Sequence, residues 1–129
     1  MIKENVLLQL EGDFTLIIEN TGLNGLTSEL AHLDESAEKL GFVRWQWDYY
    51  RATYDLKLED RANQNEYFLR VSTRAVEGKL EQPYAVLKVE AAYIGRATFP
   101  HGLDYESPVP QQILNTATQR LQELKKLLA

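Results

Sequence analysis

Cysteine is absent from the 129 residues. That removes disulfides, thiol nucleophiles and thiolate metal sites, and it fits a cytoplasmic protein in a reducing compartment. Histidine occurs only as His32 and His101. They are far apart and have no carboxylate motif at ligand spacing, so neither a metal nor a cofactor is expected. Long apolar runs are missing too: no window can span a bilayer, and the opening MIKENVLLQLEGD is too short in its apolar run for a signal peptide. Basic residues are the minority, 14 against 19 acidic for a net charge of −5, and they are scattered. Nucleic acid and anionic membranes both require a basic footprint, so neither is an expected partner. Gly22 and Gly25 lack the spacing and the lysine of a phosphate loop, and Ser28, Ser36, Ser72 and Ser107 stand in no nucleophile-elbow sequence.

What remains is the patterning of a single α+β domain over residues 1–129. Val6–Leu10 and Phe14–Ile18 flank the turn-prone Glu11-Gly12-Asp13 and predict a strand or a hairpin. Leu26, Leu30, Leu33, Ala37 and Leu40 recur at three and four residues and predict a helix. Thr27 or Ser28 is its expected cap and Gly41 its stop.

Both tryptophans, with Tyr49, Tyr50 and Tyr54, crowd into GFVRWQWDYYRATYDLKLED, residues 41–60. Val43, Trp45, Trp47 and Tyr49 share one strand face, expected to pack as core against the first helix. Beyond Arg51 the apolar side moves to Ala52, Tyr54, Leu56 and Leu58. One regular strand on one core cannot change parity, so a turn, or alternatively a bulge, is expected at Asp48–Arg51. Two further alternating segments follow. In one, Tyr67, Leu69, Val71, Thr73 and Ala75 form the apolar side, and in the other Ala85, Leu87, Val89, Ala91 and Tyr93 do so. Short polar connections make these an antiparallel meander, with Thr53, Asp55, Lys57, Arg70, Arg74, Lys88 and Glu90 on the polar side in cross-strand pairs. Residues 95–110, with three of the four prolines, read as irregular. Leu114, Ala117, Leu121, Leu124 and Leu128 then mark a C-terminal helix entered near Pro108 or Pro110. The fold expected is an antiparallel sheet with a helix of the N-terminal half and a C-terminal helix on one face.

The segments GFVRWQWDYYRATYDLKLED, YFLRVSTRAVEG and PYAVLKVEAAYIGRATFPHGLDYE resemble the YugN-like family, small proteins of Gram-positive spore-forming bacteria such as bacilli. The order of Gln46-Trp47-Asp48, Ala75-Val76-Glu77-Gly78 and Pro100-His101-Gly102 carries the resemblance. It implies an α+β fold and a cytoplasmic location, and it brings no catalytic residues.

The chemistry therefore rests on the residues themselves. His101 with Asp104 is the candidate acid–base pair, against the alternative that His101 only fills a Pro-Gly turn. Asp48, Tyr50 and Arg51 sit at the parity change, where Arg51 can meet a carboxylate or phosphate with Trp47 or Tyr50 as a stacking platform. The plainer alternative is an Asp48–Arg51 pair closing a turn. Arg70 and Arg74 are further anion-binding candidates, expected to face a cavity between sheet and helices. Three function classes stay open: a protein-interaction or regulatory module able to self-associate as a homo-oligomer, a binder of a small anionic ligand, and, least favoured, an enzyme using His101 and Asp104.

Overall fold

The computed structural model describes residues 5–10, 13–18, 21–46, 48–98, 102–104 and 109–128. Its elements are β1 (Asn5–Leu10), β2 (Asp13–Ile18), β3 (Thr27–Glu29), α1 (Leu30–Lys39), β4 (Val43–Gln46), β5 (Arg51–Asp60), β6 (Asn65–Glu77), β7 (Val86–Thr98), β8 (Gly102–Asp104) and α2 (Gln111–Leu128). The strands form one open sheet in the order β1-β2-β7-β6-β5-β4, with every pairing antiparallel. β4 to β7 are the expected meander. β7 gives one edge to β6 and divides the other among β3 at Val86–Lys88, β2 at Tyr93–Ile94 and β8 at Arg96–Thr98. The predicted β1–β2 hairpin thus joins the meander beside its last strand.

Both helices lie on one face of this sheet. The inward side chains are Ala52, Tyr54 and Leu58 of β5, Tyr67, Leu69 and Val71 of β6, and Leu87, Val89, Ala92 and Ile94 of β7. They meet Leu30, Leu33 and Ala37 of α1 and Ile113, Leu114, Ala117, Leu121 and Leu124 of α2. The four large apolar residues of α2 bring on the order of 6–12 kcal/mol of gross burial energy, before the entropy of ordering the helix is subtracted. Packing rather than intrinsic propensity therefore holds this helix. Among the described residues, no helix is long and apolar enough to cross a membrane.

Helix α1 starts later than the leucine spacing predicts. Thr27 and Ser28 belong to β3, and the Glu29 side chain at the N-cap makes no capping hydrogen bond among the described residues. The first amides are satisfied by main chain instead: Leu30 N–H donates to the Ala85 carbonyl at 2.7 Å and Ala31 N–H to that of Pro83 at 3.0 Å. A strand pairing and a loop do the work expected of a cap. The helix does end at Gly41, as predicted. Gly41 has φ +94, and its N–H donates to the Glu38 carbonyl while that of Phe42 reaches Ala37, both at 3.0 Å. These two bonds make a Schellman closure.

The turn at residues 48–50 is confirmed, since Gln46 pairs with Ala52 and two antiparallel strands flank it. Three expectations are corrected. Val43 and Trp45 are not core: they sit directly opposite Asp55 and Thr53 and point away from the helices. The inward residue of β4 is Arg44, whose Nε lies 3.6 Å from Asp34 Oδ1 on α1. The inward set of β7 is not Leu87-Val89-Ala91-Tyr93, because Ser72 pairs with Ala91 while Thr73 pairs with Val89. The extra residue, Glu90, is a bulge that switches the strand's parity. Residues 95–110 are not wholly irregular either, since β7 runs through Thr98 and pairs with β8.

Candidate functional site

The face away from the helices is built in cross-strand rows that sequence separation hides. One row joins Val43, Asp55, Arg70, Tyr93 and Ile17, the next Trp45, Thr53, Ser72 and Ala91, and a third Arg51, Arg74 and Lys88. The first row is a closed network. Arg70 donates from Nε to Asp55 Oδ1 and from Nη2 to Oδ2, both at 2.8 Å. This bidentate pair is well covered, with 7% of the Asp55 side chain and 24% of that of Arg70 exposed. Tyr93 stands on the other side of Arg70. Burial raises the pKa of its phenol, and the charge and hydrogen bond of Arg70 oppose the rise.

The third row is open. Arg51 and Arg74 are direct cross-strand partners, and Arg74 is followed by Lys88. Like charges in that relation repel. The bulge relieves part of the repulsion by turning Glu90 outward, where its Oε2 accepts from Arg74 Nε at 2.8 Å. Among the described residues, neither the Arg51 nor the Lys88 side chain has an ion-pair or hydrogen-bond partner. A protein of net negative charge thus gathers three cations in one row, with Glu90 paired to one of them. Asp48 does not offset Arg51 by pairing with its guanidinium: Oδ1 instead accepts the backbone N–H groups of Tyr50 at 2.7 Å and Arg51 at 2.9 Å.

Between these rows lies a groove of about 920 Å³, lined by Asp48, Arg51, Thr53, Ser72, Arg74 and Tyr93 among others. Thr53 is 4% exposed, and its buried Oγ1 has no hydrogen-bond partner among the described residues. Most buried hydroxyls find a partner, so Thr53 stands out on the floor of the groove. Ser72 holds the Ala91 carbonyl only at 3.4 Å.

The corner beside the groove is anchored by main chain. Leu80 N–H donates to the Tyr49 carbonyl at 2.8 Å and Ala75 N–H to that of Tyr50 at 2.7 Å. The ring of Tyr49 lies 5.6 Å from Lys79 Nζ, and both tyrosine side chains are largely exposed. The helix side of the sheet carries a second polar contact. Tyr54 Oη donates to Asp34 Oδ1 at 2.7 Å, and burial followed by this bond raises the phenol's pKa far above its usual value.

The structure therefore brings Asp48, Arg51 and Arg74 together at one groove, with Tyr50 at its corner. It commits Arg70 to Asp55 and puts all three arginines opposite the predicted sheet–helix cavity. Trp47 and His101 lie outside the described residues. Asp104 is in β8 opposite Arg96, eight residues along β7 from Lys88 in the Arg51 row. At about 3.4 Å per residue that is roughly 27 Å, so Asp104 and Arg51 do not share a site. Ser72, Tyr93 and Glu90 were not legible as site residues, because only strand register and the bulge bring them to Arg51, whereas Thr53 lies two residues along β5 on the same face and only its burial was hidden.

A four-stranded meander extended by an N-terminal hairpin, helices on one face and a charged, aromatic-edged other face define a small α+β protein with an uncovered sheet surface. The chain belongs to the YugN-like family, whose model matches residues 19–127. It is 32% identical over 111 residues to the uncharacterized protein YlbA of Bacillus subtilis, covering 84% of this chain and 91% of that one. With the uncharacterized protein YugN of the same organism it shares 27% identity over 85 residues, 65% of this chain and 62% of the relative. The crystal structure of the uncharacterized conserved protein YugN from Geobacillus kaustophilus superposes with a TM-score of 0.76 at 38% identity, covering 87% of this chain and 93% of that one.

Proposed function

We propose that the protein is a cytoplasmic interaction module that associates through the β4 edge of its sheet, with a second copy of the chain as its partner. One observation carries this reading: Val43 and Trp45, 58% and 61% exposed, stand together on the solvent face of a terminal strand. Tyr49 and Tyr50, 55% and 48% exposed, continue the patch at the adjoining corner. Large aromatic side chains at the centre of a surface patch suit an interface, because their burial on association exceeds that of any other side chain. The main chain of β4 supports the same conclusion. Its outer edge has no strand partner among the described residues, and an edge flanked by apolar side chains accepts another strand. A two-fold pairing needs no chemistry beyond what one chain carries. Any regulatory role would act through this association.

Light scattering across micromolar to millimolar concentrations tests the proposal. The wild-type mass should climb from one chain toward two. Trp45→Glu should hold it at one chain with an unchanged circular dichroism spectrum. A wild-type protein that remains a single chain throughout refutes self-association at this edge.

A further inference from the structure

A second feature of the uncovered face adjoins the Trp45 patch, across the strands from Trp45 at Thr53. We infer that the groove at Arg51, Thr53 and Arg74 is a binding site for a small organic carboxylate, whose carboxylate group sits against the Arg51 guanidinium. Three observations converge on this. The Arg51 guanidinium has no side-chain partner among the described residues and faces another arginine across the strands. An anion at Arg51 supplies the partner that this guanidinium lacks and offsets its repulsion from Arg74. Thr53 Oγ1 is buried in the groove lining and has no partner among the described residues. A hydroxyl there can donate to an oxygen that also meets Arg51, whereas without a partner it retains the full penalty of desolvation.

The charge of the groove selects the class of anion. Its lining holds two guanidinium groups and the carboxylates of Asp48 and Glu90. Glu90 already neutralises Arg74, so one planar fork is left for one planar monoanion. A phosphate dianion would bring a second negative charge toward Asp48 and Glu90 with no free cation in the lining to meet it. Lys88, at the far end of the row, adds field but does not line the groove. Size points to an organic body behind the carboxylate. The groove of about 920 Å³ lies in the range of small-molecule sites and far exceeds a bare carboxylate. Tyr93 provides an aromatic wall for the rest of the molecule.

Titration of the full-length protein with benzoate, acetate, benzamide and inorganic phosphate, followed by backbone amide NMR, tests the inference. Benzoate should saturate, shift the amides of Arg51, Thr53 and Ser72, and bind at least tenfold more tightly than each other probe. Arg51→Gln, at an exposed position, should weaken benzoate at least tenfold with the spectrum otherwise intact. Thr53→Val should also weaken it while melting no lower than the wild type, since it deletes a buried hydroxyl that has no partner. Equal binding of benzoate and benzamide, tighter binding of phosphate, no saturable carboxylate binding, or unchanged affinity in Arg51→Gln would each overturn it.

Discussion

The Asp55–Arg70 pair offers the most quantitative test of how the uncovered face is held. Replacing Asp55 by Ala removes two charge-assisted hydrogen bonds of 2.8 Å and leaves a guanidinium with only 24% of its side chain exposed. Breaking a fully buried pair by removing one partner costs about 3–5 kcal/mol, most of it the unrepaid desolvation of the survivor. Arg70 is not fully buried, and Tyr93 remains beside it, so the expected loss is lower, about 2–3 kcal/mol. For a domain of this size that corresponds to a fall in melting temperature of roughly 8–12 °C. Arg70→Ala should cost at least as much, because the carboxylate it strands is the better covered of the two. Urea denaturation of the two single variants and the double variant completes the cycle. The double variant should lose clearly less than the sum of the single losses, giving a coupling of about 2 kcal/mol. The paired swap Asp55→Leu with Arg70→Met should recover most of the stability, since an apolar pair of similar bulk needs no desolvation repaid. A loss below about 1 kcal/mol for Asp55→Ala, the range of a solvated surface pair, would refute the picture of a covered network.

Two further outcomes follow from the helix side of the fold. Gly41→Ala should cost about 1–2 kcal/mol in urea denaturation: φ is +94, and the new Cβ would approach Leu56 Cδ1 to 3.2 Å. The phenol of Tyr54 has a pKa raised above the usual 10.0 by burial and by its bond to Asp34, so the native state keeps a proton that the unfolded chain releases. Its contribution to stability is therefore complete below pH 10 and falls as the pH rises beyond it, by up to about 1.4 kcal/mol per pH unit. Tyr93, raised chiefly by burial, acts in the same direction. Denaturation midpoints between about pH 9 and 11 should fall less steeply in Tyr54→Phe than in the wild type, and parallel curves would count against the burial described.

The sequence made the strands other than β3 and β8, the meander, both helices and the turn after Trp47 legible, because period-two and period-3.6 patterns survive any tertiary arrangement. Which face of a strand meets the core is a different matter. Val43 and Trp45 carry the apolar side of β4, but the register with β5 puts Arg44 opposite the inward Tyr54, where it lies 3.6 Å from Asp34 of α1. No pattern within one strand records that partner. The parity change at Glu90 was equally hidden: Ala91 and Ala92 give no size signal, and Tyr93 and Ile94 are both apolar, so either could be inward. Thr27 and Ser28 are good capping residues, yet pairing with β7 outcompeted that local preference.

The contrast between neighbouring rows of the outer face bears directly on function. In one row Asp55, Arg70 and Tyr93 satisfy one another under cover, an arrangement that the fold's stability alone accounts for. In the adjacent rows Arg51 faces Arg74, Lys88 extends the line of cations, and Thr53 buries a hydroxyl without a partner. Each of these features is unfavourable by itself, and none is required by the sheet. Threonine could be valine there, and Arg51 could be a neutral residue, with stability unchanged or improved. Local departures from what packing prefers concentrate where a protein does something other than fold. The bulge at Glu90 sharpens the point, since it turns outward a carboxylate that neutralises Arg74 and leaves Arg51 without a side-chain partner among the described residues.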